Sequence, residues 1–252
     1  MTLDLRRAFA TLAFLPAAAV LLPACADNES SLFIKQVQVL NDECVAEADP
    51  GGTFRTSGVI DTLFAQEYVA QLLVGNQIVQ RGNADQLRTE TSKIKIYEYD
   101  VQVLDIDGGV LNEYTAPTSG FVDEKKGDTV GYGIASAVLL DATTAKSLGD
   151  TATSSGVVQE VVASVIVKGR TLGGNEIESG EFSYPISVCH GCLLVFPPTA
   201  NDPEQPTLCD NTAEDPDATC TPGVDSPGDC RFCRAYDPKT CDPPDPNFKA
   251  AP

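Results

Sequence analysis

Two CxxC units hold the residues of this chain best suited to chemistry: Cys189-His190-Gly191-Cys192 and Cys230-Arg231-Phe232-Cys233. Four thiolates at short reach satisfy the tetrahedral preference of zinc. A single CxxC becomes a redox dithiol where a helix N-terminus lowers a thiol pKa. The surrounding sequence favours a third fate. Cys25, Cys44, Cys209, Cys220 and Cys241 accompany the two units, prolines crowd the region, and no helical pattern follows Cys192. Structural disulfides are therefore the leading reading. Zinc held by Cys189, Cys192, Cys230 and Cys233, or redox exchange, are the minor alternatives. Haem attachment requires a histidine directly after the CxxC, and Leu193 and Arg234 stand there instead.

His190 is the only histidine. A general base or a histidine-ligated metal centre would have to use it, yet it sits between two cysteines expected to be cross-linked, which reads as a surface loop. No serine lies in a GxSxG elbow. The carboxylate pairs Asp105 with Asp107, Asp123 with Glu124 and Glu176 with Glu178 have turn residues as neighbours, and Asp105-Ile106-Asp107-Gly108 lacks the remaining positions of an EF-hand loop. Gly131-Tyr132-Gly133 has no third glycine opening a helix, so it is not a phosphate cradle. No catalytic constellation emerges, and the reading is a non-enzyme without cofactors.

The elements that must position these residues are strands. From about residue 31 to 189, glycines and short polar clusters separate runs with period-two alternation. Phe182, Tyr184, Ile186 and Val188 share one face of a strand, and Val161, Ala163, Val165 and Val167 share a face of its predecessor, with Leu172-Gly173-Gly174-Asn175 as the hairpin turn. Lys93 to Asp105 and Val110 to Thr115 form a second hairpin through Asp107-Gly108-Gly109. Within its first strand the apolar parity switches between Ile96 and Tyr97, which predicts a β-bulge or a crossing between sheets there. Further strands are expected at Leu32 to Leu40, Thr53 to Leu63, Tyr68 to Val79 and Thr129 to Leu140. A helical turn is expected over Asp141 to Leu148, with Asp141 as N-cap and Gly149 as stop. About eight strands without long helices give an all-β fold, an Ig-like β-sandwich in architecture only, since tryptophan and an intra-strand cysteine pair are missing. An up-and-down barrel with a ligand cavity is the alternative.

Residues 190–252 form a different kind of segment, a disulfide-rich irregular C-terminal extension. Twelve of the 17 prolines lie from Pro197 onward, interleaved with Asp, Thr and Cys, and proline fixes φ while removing a backbone donor. With Phe232, Tyr236 and Phe248 as its main large apolar residues, this tail depends on staples rather than on a core. Cys44 has no cysteine near it in sequence, so even pairing joins it to the tail. Cys189 or Cys192 is the first expectation for its partner, because a sandwich often brings first and last strands together.

Residues 1–24 combine Arg6 and Arg7 with an uncharged run from Ala8 to Leu22. That run has 15 residues, against the ~20 a spanning helix needs, so it reads as a secretory signal excluded from the fold. Arg6-Arg7-Ala8-Phe9 is also a fragment of a twin-arginine signal. Leu22-Pro23-Ala24-Cys25 resembles the lipobox of bacterial lipoproteins. The resemblance implies a diacylglyceryl group on the Cys25 sulfur, cleavage before it, and acylation, for instance by palmitate, of the new amino group. Ala26 after the anchor implies the outer membrane, with the protein facing periplasm or cell surface. Residues 25–30 would then be anchor and linker. The competing cut reads Ala24-Cys25-Ala26 as an ordinary signal-peptidase site and discards Cys25.

Charge narrows the partners. The formal net charge of −19 becomes −20 without Asp4, Arg6 and Arg7, and such a chain is repelled by phosphate backbones, which excludes nucleic acid. It also disfavours a peripheral grip on anionic headgroups, so membrane attachment must come from acyl chains on Cys25. The resulting expectation is a membrane-anchored envelope lipoprotein acting as a binding or structural module, possible partners being other envelope proteins. The alternatives are a carrier of a lipid or small molecule in a β cavity, and a CxxC-based redox or zinc protein.

Overall fold

The computed structural model describes residues 31–82, 89–196 and 219–230. Cys25, Cys209, Cys233 and Cys241 lie outside them. In chain order the elements are β1 (Leu32–Gln38), β2 (Phe54–Arg55), β3 (Gly58–Asp61), β4 (Tyr68–Asn76), β5 (Ile94–Asp105), β6 (Val110–Val122), β7 (Gly131–Leu140), α1 (Ala142–Ser155), β8 (Gln159–Thr171), β9 (Glu176–Glu178), β10 (Phe182–Cys189), β11 (Leu194–Val195) and β12 (Gly228–Asp229). They build an all-β sandwich. One sheet has the order β2-β1-β4-β7, and the larger has β3-β10-β8-β5-β6 with β9 also on β8. The alternating side chains of both inner faces fill the space between them, among them Leu32, Leu72, Ile96, Val101, Val165 and Ile186.

The parity switch in β5 marks a bulge. Against both β6 and β8 the register skips Tyr97, passing from Ile96 directly to Glu98. Ile94 and Ile96 before it and Tyr99, Val101 and Val103 after it all point into the core. Tyr97, which simple alternation groups with Tyr99, instead points outward and donates its hydroxyl to Glu176 at 2.7 Å. The β8 hairpin is interrupted. Its glycine turn leads into β9, and the chain resumes pairing as β10 only after Ser179, whose hydroxyl accepts from Val167 N.

The expected strand over Thr53 to Leu63 divides into β2 and β3, because the chain changes sheets between them. The helix also departs from expectation. Asp141 is its N-cap, accepting from the amides of Thr143 and Thr144, but the stop is Gly156 at φ 68° rather than Gly149. Gly149 lies mid-helix because a Cβ there would collide with Thr62. Burial raises the pKa of Asp141, yet hydrogen bonds from Thr144, Asn112 and Thr143 outweigh it and hold the carboxyl below its usual value.

Edge strands β6 and β7 meet where the sheets pinch together. Tyr114 Oη donates to the Val138 carbonyl at 2.8 Å, Thr118 Oγ1 donates to the Ser136 carbonyl at 2.7 Å, and Val138 N donates to Tyr99 Oη at 3.0 Å. Gly131 and Gly133 permit this approach, since a Cβ on either would penetrate the carbonyl of Asp123 or Phe121. Gly133→Ala is expected to destabilise by about 2–3 kcal/mol. Gly173→Ala, where the nearest neighbours would lie 3.4 Å away, should be neutral or slightly stabilising. Denaturant unfolding of the two variants side by side checks the contrast.

The tail segment 219–230 is docked on the body. Cys44 pairs with Cys220, 176 residues away, and not with Cys189 or Cys192, which pair with each other. The pairing differs from the expectation because Cys189 ends β10, which lies between β3 and β8 in the larger sheet, whereas Cys44 follows β1 in the other sheet. Asp225, at φ 55°, accepts from Val59 N at 2.7 Å and Tyr68 Oη at 2.6 Å, with the Arg55 guanidinium 3.4 Å away. Tyr68 Oη lies 3.0 Å from Tyr184 Oη. Burial and then the Asp225 carboxylate push the Tyr68 phenol far above its ordinary pKa, and burial pushes Tyr184 up to about 12.

Candidate functional site

The sequence-selected residues Cys189, His190 and Cys192 come together with two that sequence reasoning passed over, Asp61 and Thr62. β3 runs parallel to β10, with Asp61 opposite Cys189. This places the end of β3 beneath the Cys189-His190-Gly191-Cys192 loop. Asp61 is fully buried. One of its oxygens accepts from Leu63 N at 3.0 Å and Gly191 N at 2.7 Å, and the other accepts from Leu193 N at 2.8 Å. A buried carboxylate is stable only when its lone pairs are used, and here it sets the shape of the loop that the disulfide closes.

Thr62 supplies the second support. Its hydroxyl donates to the Cys189 carbonyl at 2.9 Å and lies 3.1 Å from His190 Nδ1. A hydroxyl has one proton, so toward His190 it accepts, and Nδ1 carries the hydrogen. The half-buried ring borders a cleft of about 580 Å³ between α1 and the loop after β3, with Thr62, Gln66, Thr143, Lys146 and Asp150 on its walls. Lys146 is tied to Asp150 at 2.6 Å, one helical turn on.

Asp61, Cys189 and Cys192 are the one trio of metal-ligating side chains among the described residues whose donor atoms lie within 4.8 Å of one another. The donors do not fit zinc in this state. The two sulfurs are bonded to each other and both carboxylate oxygens serve backbone amides. Redox exchange meets a related obstacle. Cys192 is exposed and Cys189 buried, so an incoming thiolate reaches Cys192 and must expel Cys189 as a thiolate beside the Asp61 carboxylate. Like charge at a buried leaving group slows that step. In the second CxxC unit, Cys230 is buried and disulfide-bonded, and Cys233 lies outside the described residues.

The carboxylate pairs build turns or ion pairs. Asp105 Oδ1 accepts from the amides of Asp107 and Gly109, so Gly108 can turn at φ 84°. Asp123 pairs with Lys93 and Glu124 with Lys126. Glu176 pairs with Arg170 and Tyr97.

Sheet edges are the other place where a sandwich recognises partners. Tail residues cover β3: Asp225 N donates to Val59 O at 2.9 Å, Asp61 N donates to Gly223 O at 2.8 Å, and Ile60 bridges Val224. Hydroxyl groups from β5 and β6 occupy the facing edge of β7, Pro117 interrupts β6, and β2 has two residues. These are the usual protections against strand addition. A scan against protein-family models and a search of curated proteins find no match for this chain.

Proposed function

We propose that this chain is an exported, lipid-anchored lipoprotein of the envelope of a Gram-negative type bacterium, held at the outer membrane, that works as a binding or structural module rather than as an enzyme. The Cys44–Cys220 disulfide is the observation that carries the reading. It fastens the tail at Cys220 to the β-body across 176 residues of chain, and such a bond persists in oxidising compartments outside the cytosol. Leu22-Pro23-Ala24-Cys25 supplies the anchor, and multiple acyl chains hold a protein that one chain holds only marginally. The covered sheet edges direct recognition to the end loops, and the filled space between the sheets favours a contact module over a carrier.

Intact mass of the protein isolated from cells, with and without reduction, tests the reading. The expected species begins at Cys25, carries diacylglyceryl and amide-linked acyl mass, sediments with membranes and resists alkylation of its remaining cysteines until reduced. A soluble species without lipid overturns the anchor, and cysteines that alkylate before reduction overturn the disulfide framework.

A further inference from the structure

Five large apolar side chains stand exposed at one end of the larger sheet: Ile106 (75%), Val157 (60%), Val110 (56%), Leu111 (45%) and Val158 (45%). Leu104 lies opposite Val110 and Asp105 opposite Val161. The β5–β6 turn and the segment entering β8 therefore end side by side. Clustered apolar exposure marks contact sites, whereas scattered single residues do not. The two segments that form the tip carry one sign of charge, and Lys146 of the neighbouring α1, whose first turn Asn112 contacts, is paired with Asp150. Residues 104–113 and 157–161 contain Asp105, Asp107, Glu113 and Glu160 and no lysine or arginine.

The opposite end is where the chain enters. Leu32 pairs with Asn76 and bridges Ser179, and Asn76 donates to the Ser92 carbonyl, so β1 begins beside the start of β5 and the end of β8. Lys93, Lys95, Lys125, Lys126 and Arg170 lie toward that end. The 12 residues of β5 separate the two ends by ~40 Å. Cys25 precedes Leu32 by seven residues, a tether of at most ~25 Å, so an anchor there enters at the end opposite the apolar tip.

We infer that this tip docks an envelope protein presenting an apolar patch rimmed by lysine or arginine, a partner assignment that rests on the anchored binding-module reading. Charge complementarity selects it. A second copy would set these carboxylates against one another, and an anionic lipid surface would repel them in the same way.

The test places a photo-crosslinking amino acid at position 106 of the full chain in its native cells and identifies the cross-linked peptides by mass spectrometry. Asp107→Lys with Glu113→Lys, and separately Val157→Ser with Val158→Ser, serve as variants, with thermal unfolding as the check on folding. The expected product joins a different protein at a segment that carries Lys or Arg beside apolar residues. Its yield should fall at least tenfold in both variants while unfolding is unchanged. Cross-links to lipid, to a second copy or to the chain itself, no cross-link, or a yield indifferent to charge reversal overturns the inference. An unlipidated protein that still makes this cross-link removes the anchor alone, and a lipidated protein that does not removes the docking surface alone.

Discussion

Replacing Cys44 and Cys220 together with serine is expected to lower the unfolding free energy by ~5 kcal/mol, on the chain-entropy view that a cross-link restricts the unfolded ensemble more as its loop lengthens. The loop spans 176 residues, and the restriction grows with the logarithm of that length. The tail should stay docked at low denaturant, because Val224 is buried and Asp225 still receives Val59 N and Tyr68 Oη. The loss should appear as a lower denaturation midpoint with an unchanged native near-UV signal. Reducing the wild type without unfolding it should reproduce most of the effect. If the double variant unfolds at the wild-type midpoint, the Asp225 contacts carry the docking and the cross-link is incidental.

Much of this architecture was legible because a strand writes its burial into the chain at period two. The face change in β5 could be read from Ile94 and Ile96 followed by Tyr99, Val101 and Val103, since one inserted residue inverts every later side chain. Asp141 was equally legible, because an N-cap is a local bond between a side chain and amides two and three residues on. Gly149 was misread as a stop for the reason that local rules fail: its missing Cβ answers Thr62, more than eighty positions earlier. Gly131 and Gly133 carry the same lesson. They resembled half of a phosphate motif and instead let two strands cross at van der Waals contact.

The candidate site was half legible. Cysteine spacing pointed to Cys189 and Cys192 and, by parity, sent Cys44 to the tail, but parity contains no geometry and could not choose Cys220. Asp61 left only a local trace, a carboxylate at a strand end whose oxygen bonds the amide two residues on. Its longer bonds to Gly191 and Leu193 depend on β3 lying parallel to β10. Parallel pairing of segments so distant in sequence has no turn signature. Asp225 was hidden similarly, within a tail whose composition spoke for staples rather than for a strand-edge cover.

Asp61→Ala should cost ~4 kcal/mol, since it strands the amides of Leu63, Gly191 and Leu193 in a buried site where each unmet donor costs about 1–3 kcal/mol. The cavity left by the carboxylate adds to the loss, and neighbouring relaxation reduces it. Asp61→Asn retains one acceptor oxygen and sets an amide nitrogen against one of the donors, so it should fall between Ala and wild type. A second readout separates loop geometry from global stability. With the carboxylate gone, Cys189 can leave as a thiolate without facing a like charge, and the exposed Cys192 sulfur remains open to attack. Under native conditions the Cys189–Cys192 disulfide of Asp61→Ala should therefore react with dithiothreitol at least tenfold faster than that of the wild type, followed by alkylation and mass analysis. The Cys44–Cys220 bond, on the far side of the tail segment, should keep its wild-type rate in the same sample. Equal acceleration of both bonds would mean that the variant opens globally, and no acceleration of either would show that Asp61 does not guard the loop.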